Sequence, residues 1–477
     1  VDLAHDGRGI ARTDGKAVFI EGALPGERVR FRVFKRRRQF DEAGLVEVLI
    51  PSPHRVVPKC AHFGICGGCS LQHLAPTAQL AAKERQLLDN LERIGRVRPE
   101  RVLAPLRGPE WAYRRRARLG VKYVHKKGRV LAGFREREKP YIADVRRCEV
   151  LIGRFASLPE DLAALVETLS LRDEIPQVEV AAGDPEAGEL AAGSYIPQVE
   201  ATAGNPAAGE PGSAEPETGG HPAKGAAAAG EPRAGSPGAA LVFRVMGAPN
   251  SDDLDKLAAF GERHAVQIYL QTGGLDTVRP LREGYAPLSY AVDENRITLE
   301  FGPVDFIQVN GEINRSMVAA AVELLQPTSA DTVLDLFCGL GNFTLSLGAR
   351  AAKVVGVEGD AVLVAKARAN AIRNGVGNAE FFVDNLFEPA RLGTWAQNPY
   401  DLVLLDPPRA GAAEILERMP HWRPRRLVYI SCHPGSLARD AAILVEVHGY
   451  RLIGAGVMDM FPHTTHVESI AVFERQA

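Results

Sequence analysis

The sequence predicts a multidomain α/β protein: a basic N-terminal OB-like β-barrel, a central α+β region carrying a four-cysteine site, and a C-terminal Rossmann-like domain. Three observations carry this expectation. Short alternating strand patterns fill residues 1–50, Cys60, Cys66, Cys69 and Cys148 form a ligand-like set, and strand and helix patterns alternate after about residue 310. The 477 residues suffice for about three domains, which we place at 1–53, 54–310 and 311–477.

Composition bounds the answer. With 45% hydrophobic, 24% charged and 6% aromatic residues the chain reads as globular, which excludes collagen, coiled coil and whole-chain disorder. No apolar stretch approaches the ~18 residues of a membrane helix, and the start, Val1-Asp2-Leu3-Ala4-His5, lacks the basic and apolar regions of a secretory leader. A cytoplasmic protein with no membrane partner is expected, for the chain as it begins at Val1. The net charge of −2 averages two opposite parts: residues 1–150 carry 32 Lys and Arg against 17 Asp and Glu, the remainder 25 against 42. The basic runs Lys35-Arg36-Arg37-Arg38 and Arg114 to Arg147, interleaved with Phe34, Phe40, Tyr113, Tyr123 and Phe134, point to a polyanion, and the aromatics favour nucleic acid.

Taken in order, Ala17–Ile20, Arg28–Val33 and Leu45–Ile50 read as strands, with turns at Asp14-Gly15 and Pro25-Gly26 and a stop at Pro51-Ser52-Pro53. Residues 78–95 have helical periodicity, with Leu80, Leu87, Leu88, Leu91 and Ile94 on one face. The segment from about 181 to 240 reads as a disordered surface insertion between strands near Val178 and Val242–Val245. Ala, Gly and Pro fill 28 of the 40 positions 201–240, too few large apolar groups to offset the ordering entropy. Within it, Ile196-Pro197-Gln198-Val199-Glu200 repeats Ile175-Pro176-Gln177-Val178-Glu179. After residue 310, near-continuous apolar strands at 332–337, 353–358, 379–383, 401–406, 425–431, 451–460 and 467–474 alternate with helical segments at 343–348, 361–374, 411–418 and 435–447. This pattern predicts a parallel sheet covered on both faces, with ligands at the carboxyl ends of the strands.

Four groups of residues can carry chemistry. A Cys-x5-Cys-x2-Cys set with a distant fourth thiol, in a cytosolic context, suits a metal rather than disulfides; Gly64, Gly67 and Gly68 tighten the loop, and the spacing leaves zinc and an iron–sulfur cluster open. Val333-Leu334-Asp335-Leu336-Phe337 runs into Cys338-Gly339-Leu340-Gly341-Asn342-Phe343, and Glu358 ends the next strand. A strand, a Gly-x-Gly turn and a following acid suit a nucleoside ribose, and the missing third glycine favours a ligand such as S-adenosylmethionine over NAD. Asp406-Pro407-Pro408-Arg409 and Ser431-Cys432-His433-Pro434-Gly435 end the fourth and fifth strands, and Cys432 opens a helix whose dipole would favour a thiolate. Glu468, after Phe461-Pro462-His463-Thr464-Thr465-His466-Val467, leads into the last strand; by itself it reads as a surface or capping carboxylate.

Together these motifs resemble the RNA (uracil-5-)-methyltransferase family, within it the 23S rRNA branch of RumA type, over nearly all the chain except the insertion. The resemblance rests on Asp2 to Arg12 with Pro25-Gly26-Glu27, similar to a TRAM domain; on the four cysteines; and on Phe306-Ile307-Gln308-Val309-Asn310, the Asp335 to Phe343 run, Asp406 to Arg409, Ser431 to Pro434 and His463 to Glu468. It implies a [4Fe-4S] cluster on Cys60, Cys66, Cys69 and Cys148, S-adenosylmethionine bound by Gln308, Phe337, Asn342, Glu358, Asn385 and Asp406, Cys432 as nucleophile and Glu468 as general base. The implied partner is 23S ribosomal RNA, and nothing requires more than a monomer. Competing readings are uracil-5 methylation of tRNA, a nitrogen methyltransferase that needs no cysteine, and a non-catalytic RNA-binding iron–sulfur protein.

Overall fold

A computed structural model describes residues 3–184, 238–293 and 296–476. Strands Gly9–Thr13, Lys16–Glu21, Arg28–Arg36 and Phe40–Ile50 form the first sheet, in the spatial order first, second, fourth, third. The alternation Arg28-Val29-Arg30-Phe31-Arg32-Val33 turns its arginines to solvent, as the two-residue strand period requires, while Val18, Ile20, Ala23 and Ala43 make a small core. Register shifts in the long hairpin between the third and fourth strands twist this four-stranded sheet.

The central sheet runs Arg279–Pro280, Gln267–Gln271, Ala239–Arg244, Gln177–Ala182, Arg116–Val124, Arg129–Gly133. Gln177–Ala182 pairs antiparallel with Ala239–Arg244, so the Ala/Gly/Pro-rich segment interrupts a hairpin, as expected. Its bounds are narrower than 181–240, because Ala181, Ala182, Ala239 and Ala240 are buried strand residues. The second copy of the Ile-Pro-Gln-Val-Glu repeat, with residues 185–237, lies outside the described residues.

The last sheet positions the site. Its strands are β1 (Thr332–Leu336), β2 (Lys353–Glu358), β3 (Ala379–Val383), β4 (Leu402–Leu405), β5 (Arg426–Ser431), β6 (Tyr450–Met458) and β7 (Glu468–Arg475), in the order β3-β2-β1-β4-β5-β7-β6. The first five are parallel, but β7 is antiparallel to both neighbours, so the expected parallel sheet is mixed. Alternate residues feed opposite faces. Val333, Val354, Leu402, Leu404 and Val428 join one core with the helix Gly311–Leu325, and Leu334, Leu336, Val355, Val403 and Leu405 join another.

The second core includes Leu80, Leu87, Leu91 and Val97, from far earlier in the chain. The helix Pro76–Arg93 packs on the sheet, and Arg101–Val102 extends its edge beside β6. Its inward row is Gln79, Lys83, Leu87 and Leu91, at four-residue spacing; Ile94, expected on that face, is 52% exposed beyond the last turn.

Candidate active site

The nucleotide-like pocket starts where β1 ends. Phe337, at φ +66°, and Gly339, at φ +54°, turn the chain out of the strand. A side chain at 339 would meet nothing within 4 Å, so the glycine faces open space that a ligand can enter. Glu358, half-buried at the end of β2, accepts hydrogen bonds from the Gly339 amide at 3.1 Å and from the Gly359 amide at 2.8 Å. Behind them Asp335 is fully buried. One carboxylate oxygen accepts from the Thr344 hydroxyl at 2.5 Å and the other has no partner among the described residues. Burial, then the charges of Asp406 and Glu358, push Asp335 up to about 7.

Asn342 is fixed on both ends of its amide. Its Oδ1 accepts from the Tyr290 hydroxyl at 3.2 Å and from Asn314 Nδ2 at 3.0 Å, and its Nδ2 donates to Asn314 Oδ1 at 3.0 Å. The buried Arg115 sits over the Tyr290 ring at 4.5 Å and donates to the Gln308 carbonyl at 2.9 Å. Asn385 is exposed, its side chain bonded to Glu388 and to the Phe387 amide; the Phe387 ring lies 5.8 Å from that of Phe337.

Cys432 and Glu468 meet through the β5–β7 pairing. Ser431 lies opposite Ser469, so the next residue outward on each strand, Cys432 and Glu468, shares one end of the sheet. Because β7 runs antiparallel, its first residue stands at the same edge as the carboxyl ends of β1, β4 and β5, which carry Phe337, Asp406 and Cys432. Glu468 is 4% exposed, so it is a buried carboxyl rather than a surface or capping one. Burial and the nearby Asp406 push it up to about 8, while Arg409 and Lys83 pull it back. Desolvation, then Glu358, raises Asp406 to about 7.

The thiol of Cys432 departs from expectation. It does precede the helix Pro434–Ala442, whose N-cap His433 accepts from the Ser436 amide at 3.1 Å. Yet burial first, then Glu468 and Asp406, push it up to about 11, against the favourable Arg409. Desolvation and two facing carboxyls outweigh the helix end and favour the neutral thiol.

At the other end of the chain Cys60, Cys66, Cys69 and Cys148 line one cavity of about 110 Å³, with Phe63, Phe134 and Val145 as its apolar walls. Burial first, and to a lesser extent the neighbouring thiols, raise Cys66 to about 11 and Cys69 to about 12, and a cation in the cavity would favour their thiolates. Among the described residues no group of three or more His, Cys, Asp or Glu side chains is placed to hold a metal ion.

Several contributors escaped the sequence reading. Tyr290, Asn314 and Arg115 come from three separate segments and have no local motif. Lys83 and Gln79 were legible in principle, as polar residues on the stripe that Leu80, Leu87 and Leu91 define. No helix of the described residues is long and apolar enough to cross a membrane.

Comparison with known proteins agrees with this geometry. A family model described as tRNA (Uracil-5-)-methyltransferase matches residues 280–476, and one described as TRAM domain matches residues 1–46. A Stenotrophomonas maltophilia (strain K279a) protein named 23S rRNA (uracil(1939)-C(5))-methyltransferase RlmD is 46% identical over 481 residues, covering 100% of this chain and 96% of the relative. A Methylococcus capsulatus protein of the same name is 47% identical, covering 99% of this chain and 95% of the relative. The crystal structure of Pyrococcus abyssi tRNA (uracil-54, C5)-methyltransferase in complex with S-adenosyl-L-homocysteine superposes with a TM-score of 0.68 at 21% identity, over 99% of this chain and 98% of that one, and shares the fold. A Rossmann-like sheet with thiol and carboxyl at one edge, preceded by a TRAM domain and matched nearly end to end by these relatives, makes this chain a methyltransferase of the RNA (uracil-5-)-methyltransferase family, RlmD branch.

Proposed function

We propose that this protein methylates carbon 5 of a uridine in 23S ribosomal RNA, the one its relatives' names number 1939, with S-adenosylmethionine as donor. The observation that carries the reading is the placement of Cys432 and Glu468 side by side at the sheet edge where the Gly339 turn opens. Residues 1–53 and the exposed cations of the run Arg114 to Arg147, among them Lys122, Lys126, Arg135 and Arg146, grip RNA, 54–310 hold the thiol site, and 311–477 carry the chemistry, in a cytoplasmic monomer.

S-adenosylmethionine supplies an electrophilic methyl group. The free Asp335 oxygen, the open face at Gly339, the Glu358 carboxylate and the clamped Asn342 fit an adenosine-bearing ligand. Gln308, Phe337, Asn385 and Asp406 complete that site, and Asp406, whose charge acts on both Glu468 and Cys432, would also hydrogen-bond the base. Carbon 5 of uracil is too weak a nucleophile alone. The Cys432 thiol gives its proton to solvent and its sulfur bonds to carbon 6; the displaced electron pair lets carbon 5 take the methyl, and S-adenosylhomocysteine leaves. Glu468 then removes the carbon-5 proton, the double bond re-forms, and the carbon 6–sulfur bond breaks to release Cys432. Attack on the ring face requires the uridine to leave its stack. A carboxyl whose pKa lies near the working pH is suited to this proton transfer.

Cys60, Cys66, Cys69 and Cys148 would hold a [4Fe-4S] cluster, which would supply a rigid cross-link between two distant segments. What supports the reading is that the four thiols, from two distant segments, line one cavity. Anaerobic preparation should give iron and acid-labile sulfide near four of each per chain, and Cys69→Ser should lose both.

The deciding experiment uses 23S rRNA tritiated at uracil carbon 5 with S-adenosylmethionine. Wild type releases tritium, Cys432→Ala does not, and Glu468→Gln leaves a trapped protein–RNA adduct. Methyl transfer without tritium release overturns the assignment, and activity on tRNA in place of rRNA overturns the substrate.

A further inference from the structure

Glu468 is the first residue of β7, and the nine residues that lead to it from the end of β6, Asp459–Val467, lie outside both strands. That approach is held from elsewhere. Lys83 Nζ donates to Asp459 Oδ1 at 2.7 Å and to the Phe461 carbonyl at 2.9 Å. Gln79 Oε1 accepts from the His463 amide at 2.8 Å, and the Ser70 and Leu71 amides both donate to the His463 carbonyl at 2.9 Å. The Tyr113 hydroxyl donates to the Pro462 carbonyl at 3.1 Å, and Trp111 stacks on the His463 ring at 3.8 Å. His463 takes a left-handed φ of +65°, which a residue with a side chain keeps when its surroundings over-determine it. All these partners come from residues 70–113.

Lys83 stands out because an ammonium is costly where it sits. Its side chain is 2% exposed on a helix row otherwise continued by Leu87 and Leu91, where an apolar residue would serve packing as well or better. We propose that Lys83 is a positioning residue for Glu468: seated between Asp459 and the Phe461 carbonyl, its ammonium sets the course of the Asp459–Val467 segment and thereby the place of the Glu468 carboxyl. The inference rests on the reading of Glu468 as the base that removes the carbon-5 proton. The same charge also acts directly. Glu468 is faced by Asp406 and Arg409 from the end of β4, by the Cys432 thiol from the end of β5 and by Lys83 from the helix, and Lys83 in turn faces Asp459, with Glu110 beyond it. Of these, Arg409 and Lys83 favour the ionised carboxylate.

The test follows adduct and tritium separately in the full-length enzyme with carbon-5-tritiated 23S rRNA, from pH 6 to 9. Lys83→Met should still form the adduct but release tritium roughly tenfold more slowly, and the acidic limb of the release rate should move up by about one pH unit. Lys83→Arg, which keeps the charge, should return the limb toward wild type. A Lys83→Met enzyme whose pH profile superposes on wild type, or whose adduct formation falls in step with tritium release, overturns the proposal. Should Lys83→Met fail to fold, Asp459→Ala keeps the ammonium and removes its side-chain anchor. It should accumulate adduct without the upward shift, and wild-type partitioning there refutes the positioning. If Glu468→Gln itself traps no adduct, the assignment of Glu468 fails, independently of Lys83.

Discussion

Replacing Glu468 by Gln should stabilise the empty enzyme, by an amount that grows with pH. The carboxyl is buried and pushed up to about 8 from an ordinary value of 4.5. Between those values the folded chain binds a proton that the unfolded chain has lost, so stability falls as pH rises through the window. Linkage puts the penalty at about 1 kcal/mol at pH 5, about 3 at pH 7 and about 5 above pH 9. Gln keeps the size of the protonated carboxyl and carries no penalty. Asp335 and Asp406 titrate in both proteins, so the difference isolates position 468 and the relief it gives Asp406. Calorimetric melting of the two proteins from pH 5 to 9 checks this, at roughly 2–4 °C per kcal/mol for a unit of 150–250 residues. A gap of about 2–4 °C at pH 5 that widens in favour of Gln to pH 9 is the expected result. A gap independent of pH, or a Gln variant that melts lower at pH 8, refutes the argument that the folded state holds this carboxyl against its own ionisation.

Tyr290→Phe removes one donor from the Asn342 amide while leaving Asn314 in place. KM for S-adenosylmethionine should rise about fivefold, the equivalent of about 1 kcal/mol for one hydrogen bond, with kcat little changed; steady-state kinetics showing the reverse split would count against Asn342 as a cofactor ligand. Gly339→Ala should leave the circular dichroism of the fold intact, because a Cβ there meets no atom within 4 Å, yet weaken calorimetric binding of S-adenosylmethionine roughly tenfold or more by entering the ligand's space from a strained φ of +54°. Neutralising the exposed Arg36, Arg37 and Arg38 with Gln should weaken RNA binding at low salt and flatten the slope of log affinity against log salt by about two; an unchanged slope would place the RNA elsewhere.

Local chemistry was legible in the sequence because it rests on short-range rules. The Gly-x-Gly turn after β1, the acid ending β2 and the arginine-valine alternation of the first sheet each follow from backbone geometry within a few residues. Element types in the last sheet were also legible, because runs such as Leu402–Leu405 are apolar on both faces. Strand direction was not. An apolar run reads the same whichever way it lies, so the reversal of β7 was invisible, and with it the burial that turns Glu468 from an apparent capping residue into a desolvated carboxyl. The shift of Cys432 was hidden for the same reason: a helix start is a local feature, whereas the carboxyls of Asp406 and Glu468 reach the thiol only across strands.

The sequence by itself determined the chain's classes of element, the candidate thiol ligands and the motif residues, since these depend on residue type and spacing. Tertiary structure alone decided which of them share a site and with what charge. Lys83 reaches Asp459 across 376 positions of sequence, and Arg115 reaches Gln308 across 193. Pairings so remote leave no periodicity to read, because they are set by how whole elements pack, and the low dielectric that shifts Glu468 and Cys432 exists only once that packing is complete.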